Sequence, residues 1–114
     1  MIDFYDKLPD MRCIAGDTLP TFVVSVDADS LTGCRMQLIA AKSSDPTMAV
    51  LCKECELTAI DSEECFAVTL TSEDTGSLSE GIYLLHFRMI GANGLDYRKL
   101  YGQLYVSSAA KGDD

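Results

Sequence analysis

The sequence predicts an all-β protein, an antiparallel sandwich of about seven or eight strands with one short helical turn. Three observations lead to this prediction. Apolar and polar residues alternate with a period of two in several short runs. Turn residues separate those runs at frequent intervals. No stretch longer than about a dozen residues keeps the period of an amphipathic helix.

The clearest pattern lies in the second half of the chain. A long apolar run begins at Gly81 and ends at the loop Gly91-Ala92-Asn93-Gly94, and an alternating run spans 97–106. Two long runs around a Gly/Asn loop indicate a β-hairpin. Another strand begins at Phe66, and Ser72 then supplies a capping hydroxyl followed by acids, which predicts a short helical turn.

Earlier in the chain, alternation predicts five more short strands. They are Met11–Ile14, Thr21–Val26, Cys34–Ala41, Met48–Lys53 and Leu57–Ile60. Residues 1–10 are expected to form an N-terminal arm or edge strand, 11–106 the β-sandwich domain, and 107–114 a flexible tail because they are small and polar. The alternation also predicts the core: Phe22, Val24, Met36, Leu38, Val68, Leu70, Leu85, Phe87, Leu104 and Val106.

The amino-acid composition limits the kinds of partner that this chain is expected to bind. The 114 residues carry 18 acids and 9 bases, a net charge of −9, so neither nucleic acid nor an anionic membrane is an expected partner. No apolar run approaches the ~20 residues that span a bilayer. The first ten residues hold three aspartates and no apolar segment of a signal peptide. A cytoplasmic protein is therefore expected.

The cysteines favour free thiols. There are five, an odd number, so they do not form a complete set of disulfides within one chain. Cys52 and Cys55 form a single CxxC, and a metal site of Cys52, Cys55, Cys65 and His86 is the alternative. A second CxxC is missing, so no metal and no cofactor are expected.

Nothing in the sequence predicts catalysis. His86 is the sole histidine and has no activated serine or cysteine at a recognisable spacing. The segment Asp27-Ala28-Asp29 resembles the start of a calcium loop, but Leu31 and Thr32 stand where that loop needs an oxygen ligand and a glycine. We interpret it as a solvated turn and expect no catalytic residue.

One surface is a candidate interaction face. If Leu100 to Val106 alternate toward the core, then Tyr97, Tyr101 and Tyr105 point away from it, with Ile82 and Leu84 of the partner strand beside them. An aromatic and aliphatic face is costly to leave in water, and tyrosine favours interfaces. Either this face binds a partner or the tyrosines form ordinary cross-strand pairs on a monomer.

The order of these signals resembles a family of small phage virion proteins, which includes the N-terminal β-sandwich domain of baseplate upper proteins and related tail-associated Ig-like domains. The residues that carry the resemblance span about 12 to 106. They are Gly16-Asp17-Thr18 with Phe22-Val23-Val24, then Leu31-Thr32-Gly33 before Met36 and Leu38, then Phe66, Val68, Leu70-Thr71, Glu73-Asp74-Thr75, Leu78, Gly81-Ile82-Tyr83 and Leu85, and finally Leu100, Gly102, Leu104 and Val106.

The resemblance implies an Ig-like sandwich and a non-catalytic structural or assembly role in a phage or prophage tail or baseplate. Its partners would be other phage structural proteins or further copies of itself. It would lie in the bacterial cytoplasm during assembly and then in the virion. The alternative is a host-encoded Ig-like binding module of unrelated role.

Overall fold

A computed structural model describes residues 1–27 and 30–108, with the side chain of Lys99 left aside. In these two described ranges, nine strands and one helix follow one another. They are β1 (Ile2–Asp3), β2 (Met11–Ile14), β3 (Phe22–Ser25), β4 (Arg35–Lys42), β5 (Ala49–Glu54), β6 (Glu56–Ile60), β7 (Glu63–Val68), α1 (Ser72–Gly76), β8 (Gly81–Ile90) and β9 (Asp96–Ser107). The all-β class and the single helical turn are confirmed.

The strands form two sheets that pack face to face. One has four strands in the order β1-β3-β7-β6, and the other has five in the order β2-β9-β8-β4-β5. Phe22 of the first meets Phe87 of the second edge to face, with ring centroids 5.9 Å apart. All ten predicted core residues are buried, so the predicted strand phase is confirmed there.

The sheets are mixed, and the expectation of a wholly antiparallel sandwich is wrong in this respect. β1 pairs parallel with β3, and β2 pairs parallel with β9. Both parallel strands come from the first 14 residues. β1 is an edge strand of the four-stranded sheet, and β2 is an edge strand of the five-stranded sheet. The two-residue β1 is too short for alternation to reveal, which is one reason that nine strands are found rather than seven or eight.

The N-terminal segment also contributes to the core. Phe4 is 0% exposed and Leu8 is 1% exposed. The amide of Leu8 donates to the carbonyl of Tyr101 over 2.8 Å, which ties the segment to β9. An added Cβ on Gly102 would overlap the Cβ of Leu8, so glycine is required where the segment crosses. The residues set apart as an arm or edge strand thus supply an edge strand and two core side chains.

The predicted hairpin is present as β8 and β9, but its pairing shifts by one residue. Phe87 faces Leu100, whereas Arg88 faces Arg98, so β9 holds one extra residue between them. This β-bulge reverses the alternation of β9 on its two sides. Ser107 closes β9, Ser108 donates through its hydroxyl to Glu80 over 2.7 Å, and the rest of the predicted tail lies outside the described residues.

The helix and strand β5 hold the two sheets together at one end. Thr71, one residue before the predicted cap, caps α1 through a capping box with Asp74. Lys53 of β5 donates to the carboxylate of Asp74 and to the carbonyl of Thr69, each over 2.6 Å. Burial by itself raises the pKa of Asp74, but the hydrogen bonds from Lys53 and Thr71 and the charge of Lys53 outweigh it, so the pKa is lowered.

Candidate interaction face

The outer face of the five-stranded sheet is defined here as the strand positions that point away from the core. Strand pairing places them in rows: Ile39 lies between Cys52 and His86, and His86 lies beside Tyr101. The members are Arg12, Ile14, Arg35, Gln37, Ile39, Ala41, Cys52, Glu54, Ile82, Leu84, His86, Arg88, Ile90, Asp96, Arg98, Tyr101, Gln103 and Tyr105.

The centre of the outer face is apolar. Ile39 and Ala41 are 9% and 2% exposed, although neither belongs to the core cluster. They are covered by their neighbours on the face, since a strand in the middle of a sheet has a strand on each side. Toward the margin, Ile82 is 42% exposed and Tyr101 is 49% exposed. The face therefore presents apolar side chains to solvent around a centre whose side chains are already buried.

Two aromatic contacts order the tyrosines of this face. The imidazole of His86 stacks on the ring of Tyr101, with centroids 5.6 Å apart and planes inclined at 28°. The guanidinium of Arg12 lies over Tyr105, 4.7 Å from the ring centroid. The hydroxyl of Tyr105 donates to the amide oxygen of Gln103 over 2.8 Å. Each of these two tyrosine rings therefore packs against a side chain of a neighbouring strand.

Arginines surround the apolar centre. Arg35 pairs with Glu54, and Arg88 and Arg98 pair with Asp96, the Arg88 contact being 2.9 Å and the Arg98 contact 3.7 Å. Hydrogen bonds from Gln37 and Arg35 lower the pKa of Glu54, the bond from Gln37 being the largest cause. The outer face thus carries four arginines and two carboxylates on a chain of charge −9.

The surroundings of His86 favour the neutral form of its imidazole. Burial lowers its pKa first, and the charges of Arg98 and Arg88 lower it further. Its Nε2 atom is buried without a hydrogen-bond partner among the described residues. The charges that act on His86 are thus cationic, unlike the carboxylate that orients the imidazole of a Ser-His-Asp triad.

The structure divides the five residues predicted for the interaction face. Ile82, Leu84, Tyr101 and Tyr105 lie on the outer face as expected. Tyr97 does not: it faces the buried Met89 and packs against the core. The bulge in β9 is the reason, because one extra residue between Tyr97 and Tyr101 moves the earlier tyrosine to the opposite side. The prediction for Tyr97 is wrong.

Several members of the face were not predicted. Ile39 and Ala41 of β4 form its buried centre. The sequence does carry a signal for them, because the run Leu38 to Ala41 is apolar on both sides of the strand. Arg12 and Arg35 lie on β2 and β4, which are distant in sequence from the hairpin and become its neighbours only when the chain folds. No local pattern identifies those two.

The structure does not bring together the four side chains of the alternative metal site. Cys52 and His86 lie on the outer face, Cys55 packs against the core, and Cys65 is buried in the four-stranded sheet. Burial, and then the charges of Glu54 and Cys52, raises the pKa of Cys55 to about 12, which keeps its thiol protonated and a poor ligand. Among the described residues, no group of three or more metal-binding side chains occurs.

The turn at Asp27 borders an acidic pocket of about 490 Å³. Its lining includes Asp3, Asp27, Glu63 and Glu64 on the four-stranded sheet. Residues 28 and 29 of the calcium-like segment lie outside the described part of the chain.

Comparisons with known proteins yield a distant likeness in structure. No protein-family model matches the chain, and no curated protein matches its sequence. One solved structure that resembles it is the crystal structure of CopC from Methylosinus trichosporium OB3b, with a TM-score of 0.41 and 14% identity. The match covers 67% of this chain and 65% of that one, slightly less than two thirds of its length. A likeness of this degree carries no argument about what the chain binds.

A membrane-spanning helix is absent from residues 1–27 and 30–108, since none of the helical structure there is long and apolar enough to cross a bilayer.

Proposed function

We propose that this chain is a non-catalytic structural or assembly protein that acts through protein contacts made by the outer face of the five-stranded sheet. The single observation that carries the proposal is the apolar strip of that face. Its centre, Ile39 and Ala41, is buried although it is outside the core, and its margin exposes Ile82 and Tyr101. Exposed aliphatic and aromatic side chains around an apolar centre, with arginines beside them, have the composition of a protein interface.

The energetics favour contact with another protein. Covering apolar surface contributes about 25 cal/mol per Å², and the tyrosines are already ordered by His86 and Arg12, which lowers the entropy lost on binding. An arginine side chain also recognises carboxylates with two parallel hydrogen bonds. These features support a docking surface more than they support a pocket for a small molecule.

The resemblance to phage tail and baseplate proteins supplies the biological setting of the proposal. In that setting the sandwich is Ig-like, and the face joins the chain to other virion proteins or to further copies of itself. The alternative is a host-encoded Ig-like binding module. A genomic neighbourhood of tail and lysis genes would favour the first, and its absence would favour the second.

Site-specific photocrosslinking tests the role of the face directly. A photoreactive amino acid replaces Leu84 or Tyr101 in the cells that naturally encode the chain, and Glu73 on α1 serves as the control position because it is exposed and away from the face. We expect discrete crosslinked protein bands from positions 84 and 101 and none from position 73. Equal labelling at all three positions, or none at any, would show that the outer face is not a contact surface.

A further inference from the structure

We infer that the occupant of the outer face is a second copy of this chain, which presents the outer side of its four-stranded sheet in a head-to-tail contact. This inference rests on the proposed function and adds the identity of the partner. The evidence is the way in which charge is divided between the two sheets.

The strands of the five-stranded sheet hold most of the basic residues. Seven of the nine bases of the chain lie in these strands, together with only two of its eighteen acids. The bases are Arg12, Arg35, Lys42, Lys53, Arg88, Arg98 and Lys99, and the acids are Glu54 and Asp96. The four arginines and both acids belong to the outer face, whereas Lys42 and Lys53 pair with Tyr83 and Leu38 at positions on the core side.

The four-stranded sheet has the opposite character. Its strands contain no lysine or arginine, and they hold four acids, Asp3, Glu56, Glu63 and Glu64. Glu56 and Glu63 are both exposed, and they lie on the side of this sheet that points away from the core. Glu56 pairs there with Ala67, and Glu63 pairs with Ile60. At its outward positions the four-stranded sheet carries Asp3, Glu56 and Glu63 and no base. The outer face of the five-stranded sheet carries four arginines and two carboxylates, so the two surfaces differ in sign.

Apolar residues match across the proposed contact as well. On the outer side of the four-stranded sheet, Val23 pairs with Ala67, both are half-buried, and Ile60 is 41% exposed. This strip would meet Ile82, Leu84 and Tyr101 of the next copy. Sheets that pack face to face lie about 10 Å apart, which allows such side chains to interdigitate.

Charge decides against a symmetric dimer through the outer face. A two-fold contact would bring two sets of four arginines together with only two sets of two carboxylates, and like charges across an interface are costly. The head-to-tail contact places arginines against carboxylates instead. Because it uses two different surfaces of each copy, it can repeat into a ring or a filament.

Charge-reversal variants and sedimentation equilibrium test the inference. The first variant combines Arg12→Glu and Arg98→Glu on the outer face, and the second combines Glu56→Lys and Glu63→Lys on the four-stranded sheet. We expect the wild type to associate at micromolar to millimolar concentration and less so in high salt. Each variant alone should associate at least about tenfold more weakly, and mixing the two should restore association.

A control variant combines Asp45→Lys and Glu73→Lys, which change the net charge as much as the second variant does but lie on neither surface. It should associate like the wild type. Circular dichroism and thermal unfolding are used to check that each variant remains folded.

Two results would overturn the inference. If the second variant associates as the wild type does, the four-stranded sheet takes no part in the contact, which is then not the head-to-tail contact inferred here. If the wild type stays monomeric at millimolar concentration, the occupant is another protein. Neither result touches the photocrosslinking at Leu84 and Tyr101, so failure of this inference is distinguishable from failure of the proposed function.

Discussion

Single residues control how closely the elements of this fold approach. Gly102 is the clearest case, because the N-terminal segment passes directly over it and the Cβ of Leu8 occupies the space that a side chain would need. Gly76 contrasts with it: an added Cβ there would lie 3.8 Å from the backbone of Gly16, an ordinary contact. Two glycines in one small domain thus differ in what they tolerate.

Gly102→Ala should therefore lower the free energy of unfolding by about 1–3 kcal/mol, the usual cost of overpacking. Chemical denaturation measures it. The matched control, Gly76→Ala, should leave stability unchanged or raise it slightly, since alanine favours helix. Equal effects from the two substitutions would mean that the N-terminal segment does not press on β9.

The ion pair of Lys53 and Asp74 predicts a pH dependence. Its side chains are 27% and 17% exposed, so replacing Asp74 with asparagine should cost about 1–2 kcal/mol at pH 7. Because the folded protein lowers the pKa of Asp74, the unfolded chain binds the proton more tightly. The stabilisation is complete above about pH 4 and is lost as the pH falls further, through the lowered pKa of the folded state.

Denaturation of the wild type and Asp74→Asn across the acid range tests this dependence. The difference in stability should shrink below about pH 4. Glu73→Gln is the control, because Glu73 is exposed and has no ion pair with Lys53. A difference that stays constant down to strongly acidic pH would contradict the assignment.

At the scale of elements, two irregular positions determine which side chains reach which surface. The bulge in β9 separates Tyr97, on the core side, from Tyr101, on the outer face. Cys55 alone separates β5 from β6, and the chain crosses there from the five-stranded to the four-stranded sheet. Regular alternation would have placed Tyr97 and Tyr101 on the same side of β9 and would have kept residues 49–60 in one strand.

The same substitution at two tyrosines tests the bulge. Tyr97→Asp places a carboxylate against the core and should cost about 1–3 kcal/mol. Tyr101→Asp changes an exposed position and should cost less than about 1 kcal/mol, mainly the stacking with His86. Urea denaturation compares them. The reverse order of costs would show that the alternation of β9 continues unbroken and that Tyr97 belongs to the outer face.

At the scale of the whole molecule, the first ten residues connect the two sheets. β1 extends the four-stranded sheet, Phe4 and Leu8 enter the core, and the segment then leads into β2 at the edge of the five-stranded sheet. A segment that local composition marks as peripheral is thus integral to the packing.

Removing residues 1–10 should destabilise the protein by at least about 4 kcal/mol, since two large buried side chains are lost. Thermal and chemical unfolding measure the loss. The double variant Phe4→Ala/Leu8→Ala in the full chain separates the core contribution from that of β1 and should account for most of it. A truncated chain as stable as the original would mean that the sandwich closes without this segment.

The β class, the single helical turn, the hairpin and the ten core residues could be predicted from the amino-acid sequence, because alternation and turn residues are local signals that neighbours a few positions away can specify. Four of the five residues predicted for the interaction face lie on the outer face, whose role in binding stays a prediction. The position of Tyr97 could not be predicted in this way, because a bulge is defined by the pairing of two strands. The parallel edge strands and the division of charge between the sheets likewise depend on which distant strands become neighbours, and no local pattern encodes that choice.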